Sequence, residues 1–419
     1  MDYGLIGEKL SHSYSKQIHA LIGDYGYEIK NIAPDALAAF FAQRDFKGIN
    51  VTIPYKKAVI PFCDTLSQTA QRLGSVNTIT VGKDGALHGD NTDYFGFTYM
   101  AQKAGISLEG KKVLVLGSGG TGITVQAVAH DAGAARVTVV TRGGKVNYSN
   151  VYDLYGDAQI IINATPVGMY PNTAAKPIAL EKFPNCCGVL DVIYNPLFTR
   201  LLLDAKGLRI PFANGLSMLA AQAKGSADLF FGKEIVPKKS IDEIVDELTL
   251  SCLNIVLIGM PGSGKTTIGK ALAALTGKVF MDTDIFIERE AKIRTSEIFG
   301  HYGEKYFRNL EAAAVESVGK EKGLVIATGG GAVLRPENRL NLKQNGFMVF
   351  IQRDVEKLAL NGRPLSADPQ ELEAMLEKRL PIYTVNYDIM IHNDSTPELA
   401  AQEIWHSFLE KSFANLRKD

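Results

Sequence analysis

Cysteine is scarce in this chain. Its 419 residues include only Cys63, Cys186, Cys187 and Cys252, two of them adjacent and none in a C-x-x-C pair. That spacing argues against a disulfide framework or a structural zinc site. Net charge is absent too. Forty-five Lys and Arg offset 45 Asp and Glu, which removes any global electrostatic case for nucleic acid or an anionic membrane as partner. The opening stretch MDYGLIGEKLSHSYSK has no long apolar run after a basic start, so no secretory signal is expected. Runs such as VLVLG and IVLIG are too short to span a bilayer. There is no period of 20–50 residues, which excludes a solenoid, and no Gly/Ser-rich tether. A reduced, cytoplasmic globular protein is the expectation, with the oligomeric state left open.

What is present is an alternation of short apolar runs with helical stretches. The 40 glycines suit tight strand–helix turns, and the length favours two or three domains. Strands are expected at Tyr3–Ile6, Gly48–Thr52, Lys112–Leu116, Arg136–Val140, Ala158–Asn163 and Gly188–Val192. Four more are expected at Asn254–Ile258, Lys278–Met281, Leu324–Thr328 and Phe347–Ile351. The fold class is therefore α/β, with parallel sheets covered by helices. The charged segment 231–251 becomes an amphipathic helix from Ser240, and a fresh strand follows, so a junction is placed near Thr249–Leu253. Three domains follow: a lobe at 1–97 completed by helices within 216–249, a nucleotide-binding unit at 98–215, and a further unit at 253–419. A cleft between the first two lobes is a favoured ligand site.

The stretch KKVLVLGSGGTG places Gly117, Gly119 and Gly122 in G-x-G-x-x-G spacing between a strand and a helix, with Gly120 inside the turn. Such a turn lets a pyrophosphate approach a helix N-terminus, though it also fits a ligand-free βα turn. The next strand ends in Thr141-Arg142-Gly143, and a cation there suits the 2′-phosphate of NADP rather than the free hydroxyl of NAD. In the first lobe, INVTIPYKKAV supplies Asn50, Thr52 and Lys56 at a strand end, SVNTIT supplies Asn77, and GDNTDYFGF supplies Asp93. A carbonyl oxygen needs a proton as hydride arrives; Lys56 can give it, and Asp93 can orient the lysine. Taken singly, Lys56 reads as a solvated lysine, as does Lys57.

These residues resemble shikimate dehydrogenase across residues 1 to about 250. The matching elements are SHSYS (11–15), NVTIPYK (50–56), VNT (76–78), GDNTD (89–93), GSGGTG (117–122), INATPVGM (162–169), DVIYNPL (191–197) and MLAAQ (218–222). The resemblance implies a two-lobed dehydrogenase with a Rossmann-type NADP domain. It implies that Ser13, Ser15, Thr52, Asn77 and Gln222 bind the substrate, that Asp93 shares binding with catalysis, and that Lys56 is the principal acid/base group. Tyr194 would line the substrate and nicotinamide region. Two departures stand out: Tyr14-Ser15-Lys16 where the family often has Lys-Ser-Pro, and Thr141-Arg142-Gly143 where Asn-Arg-Thr is usual.

A second nucleotide signal opens at Gly259. GMPGSGKTT (259–267) fits G-x-x-x-x-G-K-[ST] between a strand and a helix. Backbone amides of Gly262, Ser263, Gly264 and Thr267 would cradle phosphates, Lys265 would meet the β/γ oxygens, and Thr266 would hold Mg2+. In MDTD, Asp282 and Asp284 alternate, so an extended chain would project both to one side. One can serve the metal and the other a substrate hydroxyl. Arg308 lies four residues after Glu304, which a surface ion pair would explain. Gly329, Gly330 and Gly331 leave amides open to an oxygen-rich ligand, Arg363 falls in a loop, and Arg379 falls on the helix after it.

This set resembles shikimate kinase across 253 to about 410, through the P-loop, DTD (282–284), FR (307–308), GGG (329–331), GRPL (362–365) and RLPIY (379–383). The implied fold is a P-loop, nucleoside monophosphate kinase-like parallel sheet. By resemblance, Asp284 binds the shikimate hydroxyls and receives the proton, and Asp282 supports Mg2+ through water. Arg308 and Arg379 clamp the carboxylate, Gly329–Gly331 hold ring hydroxyls, and Arg363 swings in on a lid. Together the two resemblances imply an enzyme that reduces 3-dehydroshikimate with NADPH and phosphorylates shikimate with MgATP. The alternative is a quinate/shikimate dehydrogenase fused to a P-loop kinase for another small anionic polyol.

Overall fold

The computed structural model describes residues 1–10, 13–358 and 369–416. The chain forms two compact units. The first comprises Met1–Met169, Ala175–Tyr194 and Asp204–Val245. The second comprises Tyr170–Ala174, Asn195–Leu203 and the chain from Asp246 onward.

The first unit holds two sheets. One contains β1 (Tyr3–Gly7), β2 (Glu28–Asn31), β3 (Gly48–Val51), β4 (Thr65–Leu66), β5 (Thr78–Val81) and β6 (Leu87–Asp90), in the order β2-β1-β3-β5-β6-β4. It is mixed, unlike the all-parallel sheet expected: β1 runs parallel to β2 and β3, but β5 pairs antiparallel with both β3 and β6. The reason is local. Only five residues separate β5 from β6, with Gly85 at φ +79, and so short a link makes a hairpin rather than a crossover.

The other sheet contains β7 (Lys112–Leu116), β8 (Arg136–Val140), β9 (Ile160–Asn163), β10 (Gly188–Asp191) and β11 (Phe212–Ala213), in the order β11-β10-β9-β7-β8. All its pairings are parallel. The chain leaves β7 for β8 on one side and returns to β9 on the other. Their C-terminal ends thus form the crevice where doubly wound sheets take ligands. Helices Asp93–Lys103 and Leu216–Phe231 serve both lobes. Phe97, Met100 and Met218 enter the core beneath β7, while Phe230 stacks on Tyr3 of the first sheet at 5.2 Å. The second helix thus packs on the first lobe through Phe230.

The second unit contains β12 (Asn254–Ile258), β13 (Val279–Asp282), β14 (Leu324–Ala327), β15 (Gly346–Gln352) and β16 (Ile389–His392), all parallel, in the order β13-β14-β12-β15-β16. The central strand β12 is buried at every position, which is why its sequence is a continuous apolar run rather than an alternation. Its core includes Val256, Ile258, Ile326, Met348 and Phe350. The segment around Arg308 is helical, within Thr295–Lys320, but Gly303 at φ +78 breaks that span into two helices.

Candidate functional sites

The dinucleotide turn follows β7. Gly117 has φ +102, and a Cβ there would stand 2.8 Å from Thr165 Cγ2. Gly119 caps the helix Gly120–Asp131 in an extended conformation, and a Cβ on it would meet nothing within 4 Å, so this helix end is open to a ligand. Gly122 packs so closely on the carbonyl of Gly117 that a Cβ would collide with the oxygen. Beyond β8, Thr141 is partly buried and donates its N–H to Val146 O (3.1 Å), closing the turn, while Arg142 is exposed. At the ends of β9 and β10, buried Asn163 donates to Asp191 (3.0 Å) and fixes both loops. Sequence reasoning did not single out that pair.

The first lobe brings Lys56, Asp93, Asn77 and Gln222 together. Lys56 Nζ lies 2.5 Å from Asp93 Oδ2, with the lysine side chain 16% exposed and the aspartate 3%. Asn77 Nδ2 donates to Asp93 Oδ1 (3.0 Å) and toward Gln222 Oε1 (3.3 Å). The exit from β3 aims Lys56, whose carbonyl accepts from Val76 N (2.8 Å) and ties it to the Asn77 strand. Ser13 donates to Ser15 across 3.0 Å, and between them Tyr14 packs on Tyr194, with centroids 5.6 Å apart. Burial pushes the Tyr194 phenol up. Thr52 follows β3 directly and stands against Gly7, whose Cβ would meet its methyl at 2.8 Å.

One residue that sequence reasoning missed is the hub of this cluster. Ser226 is fully buried. Its hydroxyl takes a hydrogen bond from Asn50 (2.7 Å), lies 2.8 Å from Thr78 Oγ1 and 3.0 Å from Thr92 Oγ1, and reaches Gln222 O at 2.9 Å. Thr92 N donates to Asn77 Oδ1 (2.8 Å), so the network fixes the amide that holds Asp93. A serine inside an apolar helix gives no motif.

In the second unit the residues after β12, β13 and β14 line a cleft of about 940 Å3. Gly259, Gly262 and Gly264 all have positive φ, and Gly264 caps the helix Lys265–Thr276. Lys265 Nζ is held by the carbonyls of Gly259 (2.9 Å) and Met260 (2.8 Å). Ser263 is fully buried, its carbonyl accepting from Asn393, and Thr267 lines the cleft. Thr266 Oγ1 donates to Asp282 Oδ2 at 2.8 Å.

The extended arrangement expected for Asp282 and Asp284 is not what forms. Asp282 ends β13 and caps the helix Thr283–Ala291, accepting from the N–H groups of Asp284 (3.0 Å) and Ile285 (3.4 Å). The capping geometry bends the chain between the two aspartates. It still leaves both in one cleft. Burial, together with Asp282 and Glu311, raises Asp284 from the usual carboxylate range to about 7, against Lys265 and Arg308. Its Oδ1 is buried without a hydrogen-bond partner among the described residues.

The surface pair expected for Arg308 is present, with Glu304 at 3.0 Å, but a fully buried carboxylate joins it: Glu311 at 2.9 Å. That second bond turns Arg308 inward. A Cβ on Gly331 would collide with its Nη1, and one on Gly329 would stand 2.7 Å from Asp284 Oδ1. Gly330 abuts Pro261 and accepts from Tyr383 OH (2.5 Å). Arg379 is 7% exposed and lines the same cleft. Arg363 and the GRPL loop lie outside the described residues, as do Ser11 and His12.

The residues present fit the groups the two sites call for. The open end of the Gly120–Asp131 helix is a cradle for a dinucleotide pyrophosphate. The loop at 259–267 is one for a nucleoside polyphosphate, and the hydroxyl and carboxylate of Thr266 and Asp282 are the hard oxygen donors a magnesium ion takes. Such an ion keeps waters and phosphate oxygens as its other ligands, so the lack of a three-residue His/Cys/Asp/Glu cluster among the described residues is no conflict.

Fold and sites together define a two-lobed dinucleotide-dependent oxidoreductase joined to a P-loop phosphotransferase. Residues 5–79 match the family model described as the shikimate dehydrogenase substrate binding domain, and residues 261–410 match that described as shikimate kinase. The Shikimate dehydrogenase (NADP(+)) of Clostridium perfringens (strain 13 / Type A) is 35% identical over 272 residues, covering 59% of this chain and 97% of that protein. A solved chorismate mutase/shikimate 5-dehydrogenase fusion protein from Clostridium acetobutylicum aligns with a TM-score of 0.56 at 35% identity, over 59% of this chain and 96% of that one. Shikimate 5-dehydrogenase from Thermus thermophilus, in complex with NADP(H) and shikimate, aligns with a TM-score of 0.53 at 31% identity, over 59% and 99%. The chain belongs to the shikimate dehydrogenase family, and its C-terminal part is a shikimate kinase domain.

Proposed function

We infer that this chain is a bifunctional enzyme that reduces 3-dehydroshikimate to shikimate with NADPH and then phosphorylates shikimate with MgATP to shikimate 3-phosphate. The observation that carries the reading is the pairing of the Lys56–Asp93–Asn77 cluster with the cleft around Lys265 and Asp284. The product of the first is the substrate of the second.

In the first site the bound dinucleotide supplies a hydride. Lys56 Nζ gives the proton to the carbonyl oxygen as it becomes a hydroxyl, and Asp93 keeps the ammonium aimed. Asn77, Gln222, Thr52, Ser13 and Ser15 hold the ring substituents and carboxylate, and Tyr194 covers the reacting face. Gly117, Gly119, Gly120 and Gly122 face the pyrophosphate, with Thr141 and Arg142 toward the 2′-phosphate.

In the second site ATP supplies the phosphoryl group. Asp284, near 7, is poised to accept the hydroxyl proton at neutral pH. Lys265 and the amides of 262–267 hold phosphate oxygens, Thr266 and Asp282 hold the metal, and Arg308 with Arg379 holds the carboxylate. A cytoplasmic setting belongs to this reading; it is supported by four free cysteines and by the lack, among the described residues, of a helix long and apolar enough to cross a membrane.

Two half-reaction assays test the reading. NADPH oxidation should require 3-dehydroshikimate and not ATP, and ADP release should require shikimate and not NADPH. If quinate or a different polyol were the better substrate in either assay, that half of the reading would fall.

A further inference from the structure

Among the described residues outside the recognised motifs, the cleft holds two more guanidiniums: that of Arg294, at the start of the Thr295–Lys320 helix, and, beside the phosphate loop, that of Arg353. Arg353 emerges from the C-terminal end of β15, next to β12, with Ile258 opposite Phe350. Two ties hold this strand end against the loop. A Cβ on Gly259 would collide with Ile351 O, so the backbones are in close approach. Asn393 donates from its N–H to Gln352 O (2.8 Å) and from Nδ2 to Ser263 O (2.8 Å), bridging the residue before Arg353 to the loop itself. Arg353 therefore enters the cleft from the wall that carries the phosphate loop.

Its electrostatic situation differs from that of two other cations there. Arg308 is neutralised by Glu304 and Glu311, and Lys265 is bound by two carbonyls. The adjacent carboxylate, Asp354, is taken by Lys357 at 2.8 Å. Arg353 Nε is buried, and no described residue accepts a hydrogen bond from it. A buried donor without an acceptor is costly, and a guanidinium is built to meet the oxygens of a phosphate in pairs.

We propose that Arg353 is a ligand of the nucleotide's polyphosphate chain. The inference rests on the kinase reading above and extends it to a residue outside the phosphate-loop motif. The anion recognised is the β-phosphate of a nucleoside di- or triphosphate, not the carboxylate of the polyol, because this strand end closes on the phosphate loop at Gly259 and, through Asn393, at Ser263.

The test is calorimetric titration of the full chain and of its Arg353→Ala and Arg353→Lys variants with ADP, AMP and shikimate. The expected result is an ADP Kd raised about 10-fold or more in Arg353→Ala, the size of a lost charge-assisted bond. In Arg353→Lys, which keeps a point charge but not the fork, the rise should be smaller. AMP and shikimate affinities should change less than about 2-fold, and NADPH-dependent reduction, measured on the same samples, should be unchanged. An unchanged ADP Kd in both variants would overturn the proposal, as would a weakened shikimate Kd with ADP untouched. A wild-type chain that binds no ADP would instead overturn the kinase reading, and the proposal with it. If Arg353→Ala fails to fold, the Lys variant alone decides through its ADP-to-AMP contrast.

Discussion

The two sites handle the same oxygen in opposite directions. In the first, the carbonyl oxygen of 3-dehydroshikimate gains a proton; in the second, that oxygen, now a hydroxyl, loses one. The two groups proposed to move those protons, Lys56 and Asp284, sit in different environments. Lys56 is locked to Asp93 at 2.5 Å inside a network of at least six polar side chains. Asp284 has almost the reverse environment, with one oxygen buried and without a partner among the described residues and two other acids nearby. A proton donor is served by a carboxylate that holds and orients it. A proton acceptor is served by burial and like charge, which lift a carboxyl to where it can take a proton near neutrality.

The contrast breaks most sharply at the proposed proton-transfer groups. Lys56→Ala should cut the dehydrogenase kcat by about 10²–10⁴-fold and leave ADP release unchanged, and Asp284→Asn should do the converse. Steady-state assays of both activities on each variant check this, each half being the folding control for the other. The pH profile sharpens it. With Asp284 titrating at about 7, the kinase kcat should fall as pH drops through neutrality. That limb should vanish in whatever activity Asp284→Asn retains.

A smaller effect is expected at the hub of the first site. Ser226→Ala should lower dehydrogenase kcat/KM by about 10-fold, the loss of one well-placed buried hydrogen bond, without touching the kinase. Ser226→Cys separates positioning from packing, since it keeps volume but bonds weakly: it should behave like the Ala variant, and wild-type behaviour would mean the serine only fills space. In the second site, Gly331→Ala should raise the KM for shikimate about 3–10-fold by displacing Arg308 from above the glycine, with kcat little altered.

The smallest effect is on stability. The folded value for Asp284, about 7, lies above its ordinary 3.8, so the native state holds a proton that the unfolded state releases between those values. The stability this group contributes is present below about pH 4 and is lost as pH rises through 7. Asp284→Asn should therefore raise the melting temperature most at about pH 8, less at about pH 5, and change it little at about pH 3, as scanning calorimetry would show.

Much of this was legible in the sequence because buried parallel strands advertise themselves. All ten expected strands form, within two residues at each end. Those missed had weaker patterns. Strand β2 is exposed at all four positions, β4 and β11 have two residues each, and β16 only alternates. The β5–β6 hairpin was missed because its strands have only four residues each. In the sites, glycine turns and P-loop residues were visible because their chemistry dictates spacing. Ser226, Glu311 and Arg353 were not, since no motif contains them and their neighbours in space supply their meaning: Ser226 meets Asn50 across 176 positions. The Asp282 cap was misread because alternation in a short segment does not distinguish a strand end from a helix start.

The central claim is that one chain adds hydride at the first site and phosphate at the second, on the same carbon–oxygen unit. The most direct measurement is mass spectrometry of the product formed by the purified chain from 3-dehydroshikimate, 4-deuterated NADPH, ATP and Mg2+. The account predicts shikimate 3-phosphate carrying the transferred deuterium. Deuterated shikimate that stays unphosphorylated under excess MgATP, or ATP consumption without deuterium entering the product, would contradict it.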